Sequence, residues 1–151
     1  MWTLCLLAAL LVQPQVPPAA VRVVVGLTNG QQVVIVNPQF SGFIHGRNAD
    51  VVLRYRQEKL QGQMPWSTIS RIDFGQYRRG QPFPMTVTLR NGQKLEVVSD
   101  RQDFVTITGL TDVGVVTIKH PNPNSAPVRL STNKVDRRND LTIQYLEFPA
   151  P

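Results

Sequence analysis

Two stretches of this 151-residue chain carry almost the same pattern, in which apolar residues alternate with polar ones on either side of an Asn-Gly pair. The first is VGLTNGQQVVIV at residues 25–36, and the second is VTLRNGQKLEVV at residues 87–98. Alternation with a period of two places one set of side chains on one face of a strand, and Asn-Gly is typical of the turn between two antiparallel strands. Each stretch therefore predicts a β-hairpin.

A later pair of segments matches as well. ISRIDF at residues 69–74 and IQYLEF at residues 143–148 share one spacing: aliphatic, two other residues, aliphatic, acidic, Phe. Because hairpin and ending follow in the same order in both halves, the sequence predicts a tandem repeat. The second copy is longer, and we expect its insertion around residues 121–127 or 134–139. The alternative is two unrelated hairpins, since short β patterns recur easily.

The rest of the chain is also typical of strands. Val, Ile and Thr alternate at residues 105–108 and again near 141–145, and no segment of helical length carries a 3.6-residue apolar stripe. A turn is predicted at residues 109–112. The sequence predicts an all-β fold of two small barrels or half-barrels packed together, with a single β-sandwich as the alternative. The predicted bounds are 21–76 for the first unit, 77–83 for a linker, 84–148 for the second unit and 149–151 for a tail.

The first 20 residues contain no Asp, Glu, Lys or Arg, and an unbroken apolar run extends from Leu4 to Val12. This run is too short for a membrane span, which needs about 20 apolar residues, but it fits the apolar region of a secretory signal peptide. We therefore predict a signal helix over residues 1–20, with a buried first strand or a misassigned start codon as alternatives. Cys5 is the only cysteine, so a mature chain would form no disulfide.

The segment MTVTLRNGQKLEVV, residues 85–98, resembles the first motif of Sm-like and other SH3-like small barrels. It is also similar to uncharacterised exported β proteins of bacteria that share the hairpin and the aliphatic-acidic-Phe ending. The resemblance implies a five-strand small barrel in each half. Val97 stands where an Sm-type unit has Gly, and no segment matches that family's second motif. The resemblance therefore implies a fold and no binding residues.

Few residues suggest chemistry. His45 and His120 lie in turn-like segments with no metal-ligand spacing between them, and we expect both to be solvated. Asp100 and Asp103 flank a turn but lack the glycine and glutamate of a calcium loop. No phosphate-binding loop, nucleophile motif or zinc-protease motif occurs in the sequence. The sequence thus predicts no catalytic, metal or cofactor-binding residues, no cofactor, and a protein that is not an enzyme.

The formal net charge is +6, with a sequence pI of about 10.1. Alternation along the strand at residues 53–56 places two arginines on the face opposite a leucine and a tyrosine, so these arginines should point outward. Arginine pairs well with phosphate and other anions. The candidate polyanion-binding residues are Arg54, Arg56, Lys59, Arg71, Arg78 and Arg79.

These features together favour one functional class. We expect an exported, non-enzymatic binding or adaptor module of a bacterial cell envelope, located in the periplasm or outside the cell. Its partner would be another envelope protein or an anionic cell-surface polymer. The alternative is a small-barrel protein that binds nucleic acid, which applies if the N-terminal segment does not direct export.

Overall fold

The computed structural model describes residues 20–76, 78, 81–101, 104–120, 128–129, 135–136 and 143–150. The predicted signal helix lies outside this part, except for Ala20. Strands dominate both halves, joined in the first half by 3₁₀ turns at Asn48–Asp50 and Trp66–Thr68. The strands of the first half are β1 (Arg22–Leu27), β2 (Gln32–Gly42), β3 (Ile44–Arg47), β4 (Val52–Gln57), β5 (Leu60–Pro65) and β6 (Ile69–Phe74). Those of the second half are β7 (Pro84–Leu89), β8 (Lys94–Ser99), β9 (Val105–Thr111), β10 (Gly114–His120), β11 (Val128–Arg129), β12 (Val135–Asp136) and β13 (Ile143–Glu147).

Eight strands close into a barrel. Its wall runs β1-β13-β6-β7-β8-β4-β3-β2, and β2 pairs back with β1. The pairings are antiparallel. The β9–β10 hairpin extends from β2, β5 extends from β4, and β11 and β12 pair with each other in a separate two-stranded sheet. The predicted all-β fold class is confirmed.

The barrel is shared between the two halves of the chain. β6 of the first half pairs with β7 and β13 of the second, and β13 also pairs with β1. The sheet therefore continues through both halves and closes on itself, where we had expected two small barrels or half-barrels packed together, or a single β-sandwich. A closed wall has no free edges of its own, so each half satisfies backbone groups that the other would leave unpaired.

The connection between the halves also contributes to the core. Phe83, within the predicted linker, is fully buried and lies 6.0 Å from Phe43 and 5.5 Å from Phe74, measured between ring centroids. Its neighbours at residues 81 and 82 are exposed. The described residues of the predicted linker, 78 and 81–83, are thus exposed except for the buried aromatic ring at the end.

Two paths through the sheet arrange five strands in the same order. In the first path the order is β5-β4-β8-β7-β6, in the second it is β10-β9-β2-β1-β13, and strands at the same place in the two paths correspond. In this correspondence the two Asn-Gly hairpins match each other, as do the two strands that carry the aliphatic-acidic-Phe ending. Among the described residues β3 has no counterpart. The similarity between the halves is therefore one of topology, with one extra strand in the first half.

The two Asn-Gly turns have the same geometry. Gly30 and Gly92 both have a φ of 86°, a left-handed conformation that favours glycine. The Oδ1 atoms of Asn29 and Asn91 each accept a 2.9 Å hydrogen bond from the backbone N–H two residues later. Each glycine also donates its N–H to the carbonyl three residues earlier, at 3.0 Å and 2.9 Å. The repeated letters thus encode one local structure twice.

The outer hairpins β4–β5 and β9–β10 correspond as well. Both have two-residue loops, and Gln57 corresponds to Thr111, a shift of 54 positions. Leu53 and its counterpart Ile107 are both buried. The turn predicted at residues 109–112 begins three residues too early. Residues 109–111 still belong to β9, with Gly109 in close contact with Ile35 of β2, and the loop is formed by residues 112 and 113.

Aromatic contacts join the halves inside the barrel. The His120 ring lies 4.9 Å from the Phe74 ring and 4.8 Å from the Phe83 ring, and the Trp66 ring lies 6.3 Å from the Phe148 ring, all between centroids. His120 is only 3% exposed, so the expectation of a solvated loop histidine is wrong. Trp66 and His120 are equivalent positions of the two outer hairpins, and each contacts the final Phe of the other half.

Candidate functional site

The outward face of β4 presents two arginines side by side. Arg54 and Arg56 alternate with the buried Leu53 and are themselves half-buried. Their cross-strand partners on β5 are Gln63 and Gln61, which are exposed. Residues directly opposite in antiparallel strands place their side chains on the same side of the sheet. We call the surface formed by Arg54, Arg56, Gln61 and Gln63 the arginine face.

Both arginines carry a donor without an acceptor. The Nε atoms of Arg54 and Arg56 are buried and make no hydrogen bond, and neither side chain forms an ion pair within the described part of the chain. A buried donor that lacks an acceptor costs about 1–3 kcal/mol, and more for a charged group. Because both side chains are only half-buried and have no ion-pair partner within the described part of the chain, their positive charge is available to an anionic ligand on this face.

A concavity of about 250 Å³ opens beside Arg54. The Tyr55 ring lies over Gly62, where a Cβ atom would come within 2.6 Å of the ring, so a glycine is needed at that position. Asp100 follows the residue paired with Tyr55 and thus lies across from Arg54, and its Oδ1 atom is buried without a partner. The residues lining the concavity are Arg54, Tyr55, Gln61, Gly62, Gln63 and Asp100.

His45 borders the same face. It lies on β3 directly opposite Val52, two residues before Arg54, and its Nδ1 atom is buried without a hydrogen bond. Burial, and then the positive charge of Arg54, lower the pKa of His45 below its usual value. The ring is therefore neutral near pH 7, and His45 is a half-buried strand residue rather than a solvated loop residue.

A second concavity, of about 420 Å³, contains Arg78. Val98 of β8 lines it and pairs with Arg56 on one side and with Pro84 on the other. This pairing connects the second concavity to the arginine face. Sequence alone did not predict that Arg78 would share a concavity with Val98, the cross-strand neighbour of Arg56, because this arrangement depends on the β4–β8 pairing. The other lining residues are Gln76, Gln81 and Pro82.

Two of the remaining candidate cations, Lys59 and Arg71, do not join this surface. Lys59 is exposed in the β4–β5 loop, at the end of the hairpin. Arg71 lies on β6, with β7 and β8 between it and β4. Its guanidinium forms ion pairs with Asp73 at 2.9 Å and Glu147 at 3.6 Å and lies 3.9 Å from the centre of the Tyr145 ring. The hydrogen bond to Asp73 raises the pKa of Arg71. Arg79 lies outside the described residues.

The sequence did not indicate two glutamines and an aspartate as site residues. Gln61, Gln63 and Asp100 become site residues only through strand pairing. The signal for the glutamines was the polar pair Glu58-Lys59, which closes a two-residue loop and thereby fixes which residue of β5 faces each arginine. Asp100 had no such local signal, because it follows β8, a strand that is far from β4 in the sequence and adjacent to it in the sheet.

Neither a metal centre nor a membrane-spanning helix is found in the described residues. No three His, Cys, Asp or Glu side chains cluster there with the geometry to hold a metal ion, and no helix is long and apolar enough to cross a bilayer.

Comparisons with protein-family models, curated proteins and solved structures give no match to this chain.

Proposed function

We propose that this protein is a non-enzymatic binding module that holds an anionic polymer on its arginine face. The observation that carries the proposal is that Arg54 and Arg56 are neighbouring half-buried arginines that form no ion pair within the described part of the chain. The two residues are separated by two positions along one strand, or roughly 7 Å. A ligand with carboxylate, sulfate or phosphate groups at comparable intervals would pair with both guanidinium groups.

The shape of the surface favours a polymer over a small anion. The concavities beside Arg54 and Arg78 are shallow and lie on either side of the Arg56–Val98 pair. A chain molecule that crosses this pair would contact both. Gln61 and Gln63 add uncharged amide groups that bind hydroxyl or amide oxygens, which suits a polysaccharide.

The N-terminal segment supports a cellular setting for this activity. Its uncharged apolar run from Leu4 to Val12 is typical of an export signal, so we propose that the protein acts in a bacterial cell envelope. The ligand is then an anionic cell-surface polymer. A nucleic acid offers similar phosphate chemistry and becomes the ligand if the segment does not direct export.

The architecture supports a further proposal about origin. The matched Asn-Gly turns and the matched outer hairpins are what two copies of one SH3-like five-strand unit would leave after exchanging strands. We propose that the halves are such a tandem pair, with β3 added in the first copy and residues 121–142 added in the second.

Retention on a heparin column tests the binding site. We expect the Arg54→Ser, Arg56→Ser double variant to elute at clearly lower salt than the parent, because binding rests on charge and releases counterions. The control is Arg71→Ser, which removes one positive charge, against the two of the double variant, from a residue already held by two carboxylates. An equal loss per charge removed would assign retention to net charge alone and would contradict the site.

A further inference from the structure

The outer surface over β2, β9 and β10 exposes apolar side chains. A row of directly paired residues crosses four strands, from Arg22 on β1 through Val36 and Leu110 to Val115 on β10. Leu110 is 51% exposed and Val115 is 73% exposed. We call this surface the apolar outer face, and its members are Val34, Val36, Leu110, Val113 and Val115.

The fold itself does not require apolar residues there. In the equivalent β4–β5 hairpin, the position of Leu110 is occupied by Arg56 and the position of Val115 by Gln61. The same backbone therefore accommodates polar groups at these sites. Contiguous exposed apolar patches on soluble proteins mark interaction surfaces, so the contrast between the two hairpins indicates that β9–β10 contacts a partner.

A groove of about 660 Å³ runs along this face. Its charged residues are Arg22 and Asp112, one of each sign, and both are exposed. Neither forms an ion pair with another residue in the described part of the chain. The groove is thus apolar and locally neutral, although the whole chain carries a charge of +6.

We propose that the apolar outer face binds a second copy of this chain in a symmetric dimer. A two-fold contact uses the same patch on both subunits, so Arg22 of each copy would face Asp112 of the other while the valines and leucines meet between them. Two molecules of charge +6 repel each other over most of their surface. On the apolar outer face the charges of Arg22 and Asp112 cancel, so two copies can approach each other there.

Sedimentation equilibrium of the purified protein over a concentration series tests the dimer. Val115→Gln and Leu110→Gln should each raise the dimer dissociation constant about tenfold or more, since each places a polar group in an apolar contact. The matched control is Gln61→Ala, at the equivalent position of the other hairpin, which should leave the constant unchanged. A protein that stays monomeric at every concentration, or a dimer that Val115→Gln does not weaken, would overturn the proposal.

A charge exchange tests the geometry independently of packing. Arg22→Asp alone should weaken the dimer, because it would bring two negative groups together. Combining it with Asp112→Arg should restore dimerisation, since the pair is then reversed but still complementary. Both residues are exposed, so neither change disturbs the core. Failure of the double variant to recover would overturn the two-fold arrangement.

Discussion

The backbone N–H of Ile143 donates a 2.9 Å hydrogen bond to Nδ1 of His120. This bond ties the start of the last strand to the end of β10 and requires His120 to be neutral at Nδ1. Burial lowers the pKa of His120 from 6.5 to about 4. In the unfolded chain, by contrast, the imidazole takes up a proton as the pH falls below about 6.5.

We expect stability to fall as the pH drops from 6.5 towards 4. The unfolded state binds more protons than the folded state in this window, so the free energy of unfolding decreases with decreasing pH, by up to about 3 kcal/mol from this group. Above pH 7 the contribution is fully present. Urea unfolding at pH 7.5 and pH 4.5 measures the difference.

His120→Asn is the control for that experiment, because the Asn Oδ1 atom can accept the same hydrogen bond without titrating. We expect this variant to be less stable at pH 7.5, since it fills less space beside Phe74 and Phe83, but to depend less on pH. His45 is present in both proteins and cancels in the comparison. An unchanged pH dependence would show that His120 is not the group responsible.

Neither half should fold alone. In residues 80–151 the strand β7 lacks its partner β6, and β13 lacks both β1 and β6. The isolated half should give a poorly dispersed NMR spectrum, while the complete barrel melts in one cooperative step. A sharp, independent transition from the isolated half would contradict the shared barrel.

Removing the acidic group from the candidate site should strengthen anion binding. Asp100 lies across from Arg54 and lines the same concavity, so its carboxylate repels an anionic ligand. Asp100→Asn should therefore elute from heparin at higher salt than the parent. Asp50→Asn, an exposed change elsewhere that alters net charge equally, is the control. If both variants shift alike, only net charge is being measured.

The two Asn-Gly turns offer a matched pair of substitutions. Gly30→Ala and Gly92→Ala should each cost about 1–2 kcal/mol, because both sites have a φ of 86° and no atom lies within 4 Å of the added Cβ. The penalty is purely conformational, so the two values should agree closely. Thermal or urea unfolding measures them. A large difference between the two would show that the turns are not equivalent.

Local pattern predicted the strands well and their partners poorly. Alternation around Asn29 and Asn91 identified both hairpins, because a hairpin is specified by neighbouring residues. The pairing of Leu146 with Ile72 joins residues far apart in the chain, and nothing in either short segment encodes which strand it will meet. The shared barrel was missed for that reason.

In the candidate site, too, local features were predictable from the sequence and long-range contacts were not. The outward direction of Arg54 and Arg56 follows from alternation, whereas the loss of Arg71 to an ion pair with Glu147 depends on the β6–β13 contact. His120 was misassigned because a histidine next to a proline-rich segment is usually in a loop. Its burial results from aromatic rings supplied by two distant residues.

The position of β13 has a consequence for how the protein is made. This last strand fills the space between β1, the first strand of the barrel, and β6. During synthesis the wall keeps a gap one strand wide until residues 143–147 leave the ribosome, however long the earlier strands have had to pair. The barrel wall cannot close while the chain is incomplete, and a product truncated before β13 leaves the edges of β1 and β6 unpaired.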